Sequence, residues 1–175
     1  MKKTITESSG IPLSDVQRRA LLNAYAEGYA LYEDVDPESG FKKATIQSLL
    51  KAGLIEHDPD DKEDVAYRAT PAGRAALGIR LEPRPRGFKA AVWQGIRTIF
   101  PEDIAYEIEM SDYPPKVRKG STLTVYVPPM PYNDVDPELL WMAVETLVRE
   151  WGWPVGVDTA TTDSSVLVEW LDEEQ

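Results

Sequence analysis

The chain has 175 residues, 42% of them apolar, and a formal net charge of −11, which fits one or two globular domains. Without cysteine it has no disulfides, no cysteine-ligated zinc and no thiol nucleophile. No apolar run approaches the roughly 18 residues of a membrane span, and the opening MKKTITESSG lacks the apolar core of a signal peptide, so a cytoplasmic protein without a membrane partner is expected.

The charge is unevenly spread. Residues 1–86 hold 13 basic and 14 acidic side chains, whereas residues 87–175 hold 6 and 16 and carry all five tryptophans. Two domains of different character account for this split. A tail at 1–13, a domain at 14–79, a linker at 80–87 and an acidic domain at 88–175 are the predicted divisions.

In chain order, Ser14 is placed to cap a helix in SDVQRRALLNAYAEG, where Val16, Ala20, Leu21, Ala24 and Tyr25 recur at helical spacing until Gly28 stops it. Tyr29–Glu33 reads as a short strand. Asp36, Pro37 and Glu38 then carry the chemistry of a helix start. Residues 42–52 form the next helix, with Ile46, Leu49 and Leu50 on one face and Ala44, Gln47, Ser48 and Lys51 on the other; Gly53 ends it. LIEH and VAYRA read as hairpin strands around the polar tip DPDDKED, and Thr70-Pro71 opens a further helix to Gly78.

The proline-bearing GIRLEPRPRG separates the halves. Beyond it, FKAAVWQGIRTIF is helical, IAYEIEM and STLTVYV alternate as strands, and ELLWMAVETLVREWG forms a helix capped by Asp136. PVGVDTA and SVLVEWL close as a hairpin around TTDS. The order α-β-β-α-β-β predicts a two-layer α/β sandwich with helices on one sheet face. A strand at Arg80–Glu82 would make the order ferredoxin-like. The fold class is therefore α+β.

The phrase ATIQSLLKAGLIE…YRATPAGRAAL resembles the winged helix-turn-helix domains of bacterial MarR- and PadR-type regulators, through Thr45, Ile46, Leu49, Gly53, Leu54, Ile55, Thr70 and Gly73. The resemblance covers about residues 14–79. It implies double-stranded DNA as partner, with Ala44, Gln47, Ser48 and Lys51 facing the groove and Lys42 and Lys43 near phosphates. Arg18, Arg19 and Arg68 complete the DNA-binding set. Three features depart from the pattern. YALYEDVDPESG stands where a second helix belongs, the hairpin tip carries five acids and one lysine, and the groove face has one central base.

Other chemistry has little support. DVDPE occurs at Asp34–Glu38 and Asp134–Glu138, where capping explains the acids better than Ca²⁺ or Mg²⁺. His57 is the only histidine and has no triad or zinc partners. No phosphate-cradling glycine loop is present. No enzyme activity, metal or cofactor is expected. The aromatic residues of the second half read as core and interface, with Trp93, Trp141, Tyr132 and Trp153 as a candidate partner or ligand surface. The combined expectation is a homodimeric DNA-binding transcriptional regulator whose second domain dimerises or senses an effector. The alternative is a non-enzymatic adaptor or inhibitor, such as an acidic DNA mimic, that binds a protein partner.

Overall fold

The computed structural model describes residues 12–38, 40–63, 65–110, 118–128, 136–162 and 165–171. Most of the expected tail, Asp134 and Val135 of the second DVDPE, Tyr132 and part of TTDS lie outside them. The chain is a mixed helix-and-sheet protein that divides into two compact units, Met1–Arg80 and Leu81–Gln175.

The first unit begins with helix α1 (Asp15–Ala26). Ser14 starts it with a reciprocal cap: its hydroxyl accepts the Gln17 N–H while the Gln17 side chain accepts the Ser14 N–H. Helix α2 (Lys43–Lys51) ends at Gly53, which takes φ 73° so that the Leu54 N–H can return to the Leu49 carbonyl. The antiparallel strands β1 (Ile55–His57) and β2 (Tyr67–Ala69) follow, then the short helix α3 (Pro71–Ala76). Thr70 locks this corner, since its hydroxyl donates to the Gly53 carbonyl and accepts the Gly73 N–H. Leu21, Ile46, Leu49, Leu54, Ile55 and Tyr67 fill the core.

The helix start expected at Asp36 does not lead into a helix. The Asp36 carboxylate accepts the Glu38 N–H, but the Val35 and Asp36 amides turn back to the Tyr32 carbonyl and Gly40 donates to the Asp36 carbonyl. These bonds close a tight turn before a helix can propagate. Tyr29–Glu33 is likewise short of a strand. It makes one parallel bridge, Tyr32 to Phe41, and Ala30 donates to the Tyr67 carbonyl beside β2.

The second unit contains α4 (Phe88–Ile99), α5 (Glu102–Glu107), β3 (Glu109–Met110), β4 (Thr122–Tyr126), α6 (Pro137–Glu150), β5 (Val155–Thr162) and β6 (Ser165–Trp170). The four strands form one antiparallel sheet in the order β3-β4-β6-β5. Its buried side carries Leu123, Val125, Val155, Val166 and Val168, while Thr122, Tyr126, Asp158 and Glu169 are exposed. Helix α6 is buried between α4 and the sheet, and Gly95 allows the close approach: a Cβ there would lie 3.2 Å from Val148 and 3.3 Å from Val144. Arg80–Glu82 forms no strand, so the strand that a ferredoxin-like order requires is not present.

The expected strand in IAYEIEM is a correction. Residues 102–107 are helical and only Glu109–Met110 pairs with β4. Ile104 and Ile108 stand four apart and are both buried, whereas Tyr106 between them is 88% exposed. Glu102 and Asp103 occupy the first turn, where negative charge favours a helix N-terminus. The alternating pattern was compatible with both structures, and the first-turn acids favour the helix.

Candidate nucleic-acid interface

Helix α2 places its two characters on opposite sides. At 100° per residue, Lys43, Ala44, Gln47 and Lys51 fall within an arc of about 100°. All four are exposed, as is Lys42 before them. Ile46 and Leu49 seal the opposite side. Among the described residues, Lys42, Lys43, Gln47 and Lys51 make no side-chain hydrogen bond or ion pair. The helix also begins without a side-chain cap, because Lys42 stands in the capping position. Its first amides are therefore open to solvent or to an anion.

The other predicted contacts are committed elsewhere. Ser48 accepts a 3.0 Å hydrogen bond from the Gln17 side chain and donates to the Thr45 carbonyl, so it fastens α2 to α1. Arg18 is half-buried, and desolvation pushes its guanidinium below the ordinary arginine value. Arg19 lies over the Phe41 ring, 5.4 Å from its centroid. Arg68 on β2 pairs across the hairpin with Glu56 at 2.9 Å, which cancels its charge locally.

The hairpin tip is acidic and ordered by its own carboxylates. Asp61 accepts the amides of Ala66 at 2.7 Å, Val65 at 2.8 Å and Glu63 at 3.2 Å. These bonds, the Ala66 amide foremost, hold the Asp61 carboxyl below its usual range. Asp58 accepts the Asp60 N–H. On β1 and β2, the His57 ring tilts against Tyr67, whose hydroxyl donates to Tyr32.

The aromatic surface expected in the second unit separates into different environments. Trp141 is a correction: it is 1% exposed and packs edge-on against Phe100. Because α6 is covered by both α4 and the sheet, its buried arc is wider than one stripe and includes position 141. Trp93 is half-buried beneath the Arg97 guanidinium. Trp153 is half-buried in a cluster with Trp170, Phe88 and Arg84. Tyr132 lies outside the described residues. Arg84 and Phe88 carried no recognisable motif, since each lies at the linker border and joins the cluster only through folding. No family model matches the chain, and no curated protein or solved structure matches it.

Among the described residues, no group of histidine and carboxylate side chains is placed to hold a metal ion. Nor is any helix among them long and apolar enough to cross a membrane.

Proposed function

We propose that residues 14–79 form a winged helix-turn-helix that binds double-stranded DNA, and that the chain is a dimeric transcriptional regulator. In this reading α2 is the recognition helix, β1 and β2 form the wing, and the second unit dimerises or senses an effector. The observation that carries it is the outward arc of α2. Lys43, Gln47 and Lys51 are exposed without internal partners among the described residues, over a face sealed by Ile46 and Leu49. Such side chains lose no internal bond when they turn to base edges, and Lys42 and the uncapped amides suit phosphate oxygens. The net charge of −11 makes this a local interface, with the acidic tip held away from the duplex.

Titration into duplex DNA at two salt concentrations tests the proposal, with a variant carrying Lys42→Glu, Lys43→Glu and Lys51→Glu alongside. Binding at low salt that weakens with salt is expected. The variant should bind more weakly, with a log–log salt slope shallower by about 3 if all three lysines contact phosphates. No binding at low salt, or binding indifferent to the triple change, overturns it.

One observation favours a second reading. The hairpin tip holds Asp58, Asp60, Asp61 and Glu63, and the nearby Arg68 is neutralised by Glu56. A wing of that charge suits a basic protein surface. In that case the first unit is a protein-binding module, and the chain an adaptor or inhibitor that ignores DNA.

A further inference from the structure

Three element ends converge in the second unit. Gly87 at φ 114° leads into α4, whose first residue is Phe88. Gly152 at φ 88° ends α6 and lets the Trp153 N–H return to the Val148 carbonyl, which turns the chain into the cluster. Trp170 is the last residue of β6 and pairs with Val155. Phe88 stacks on Trp170 with centroids 5.0 Å apart and planes 10° from parallel, and Trp153 meets Trp170 edge-on at 5.5 Å. Arg84 lies across Trp153 at 5.0 Å. It lies close over Gly152, where a Cβ would come within 2.9 Å of the guanidinium.

The cluster contains donors without acceptors. The indole nitrogens of Trp153 and Trp170 are shut from solvent, and neither has a hydrogen-bond partner among the described residues. A buried donor left unpaired is costly, and native structures rarely leave two side by side. Arg84 has no carboxylate partner among the described residues. Gly87 gives α4 no side-chain cap, and no acid stands in its first turn. Two indole N–H groups, a guanidinium and a helix N-terminus all call for negatively charged oxygen, while the surrounding rings call for a flat apolar body.

We propose that Arg84, Phe88, Trp153 and Trp170 form a binding site for a small carboxylate carried on an aromatic body. Once the Arg84 side chain lifts, the carboxylate pairs with its guanidinium and accepts the indole N–H groups, and the aromatic body takes the guanidinium's place on the half-buried Trp153 ring. Arg84 is exposed, so its side chain can lift from Trp153 to admit the ligand. The site gives the effector role of the second unit a ligand chemistry, yet its test involves no DNA. It can therefore fail or succeed independently of the DNA-binding proposal.

The test follows the indole N–H resonances of the full chain by NMR. Phenylacetate is titrated against its uncharged isostere phenylacetamide and against inorganic phosphate. Phenylacetate should shift the Trp153 and Trp170 signals saturably and leave Trp93 and Trp141 in place as internal controls. The amide should bind about tenfold more weakly or worse, as should phenylacetate to Arg84→Met, because a charge-assisted bond is lost. Arg84→Met keeps an apolar stem on Trp153, and unmoved control signals verify its fold. If that variant misfolds, the acid–amide comparison on the wild-type chain decides alone. Absence of saturable shifts, equal binding of acid and amide, or equal shifts with phosphate overturns the assignment.

Discussion

The Gln17 side-chain amide donates to the Ser48 hydroxyl across 3.0 Å while its oxygen accepts the Ser14 N–H, so one residue both caps α1 and fixes α2 against it. Gln17→Leu should destabilise the first unit by about 1–2 kcal/mol, the loss of half a capping box and one part-buried bond. Ser14→Ala should cost about 1 kcal/mol by removing the cap alone. Urea denaturation of the single variants and of the Gln17→Leu/Ser48→Ala pair checks this. A coupling energy of about 0.5–1.5 kcal/mol is expected, and none at all means the bond is not stabilising.

The Trp141 ring is buried against Phe100 with its N–H unpaired among the described residues, which makes its volume valuable and its polarity costly. Trp141→Ala should destabilise the second unit by about 3–5 kcal/mol through the cavity it leaves. Trp141→Phe should cost far less, about 1.5 kcal/mol or below, because the change also removes an unsatisfied donor. Thermal unfolding of both variants provides the comparison. Equal losses would mean that ring volume is not what holds this position.

The difference between what could be read in the sequence and what could not follows interaction range. Ser14, Thr70-Pro71 and Asp136-Pro137 declare helix starts because a cap needs only the next three residues. Gly53 and Gly78 mark helix ends for the same local reason. Helix α5 was hidden because Ile104, Tyr106 and Ile108 satisfy a period of two and Ile104–Ile108 also satisfies a helical repeat. Burial of the two isoleucines with Tyr106 left outside separates these readings. In the candidate interface, exposure of Lys43, Gln47 and Lys51 followed from helical spacing. The bonds that occupy Ser48 and Arg68 did not, because their partners Gln17 and Glu56 lie 31 and 12 residues away. The cluster of Arg84, Phe88, Trp153 and Trp170 likewise joins distant parts of the chain, and no local pattern announces it.

Acid should act on the hairpin tip through Asp61. Its three amide hydrogen bonds favour the ionised form, so the folded pKa lies below the unfolded value of about 3.9. The sign is that of a depressed carboxylate: its stabilisation is fully present above the unfolded pKa and is lost as pH falls through the folded one. Asp61→Asn should therefore be less stable than wild type at neutral pH, with a gap that stays constant down to about pH 5 and closes below about pH 4. Denaturation midpoints across pH 2–7 check this. A gap that persists at pH 2 would show that the bonds do not depend on ionisation.

Under the proposed DNA binding, the Glu56–Arg68 pair and the acidic tip offer a direct measure of where the hairpin lies against a duplex. Glu56→Gln removes the carboxylate that neutralises Arg68, and the exposed pair itself contributes little to folding. If the base of the hairpin borders the duplex, the variant should bind DNA several-fold more tightly at low salt, with one further phosphate contact in the salt slope. Asp60→Asn with Glu63→Gln probes the tip instead. With the tip held away, by more than the roughly 10 Å screening length at 0.1 M salt, these changes should leave affinity unchanged. Tighter binding by the tip variant would place the acidic wing against the phosphates, and repulsion there would then be what limits affinity. Fluorescence anisotropy with one labelled duplex at two salt concentrations distinguishes the arrangements, because only charges within the screening length respond.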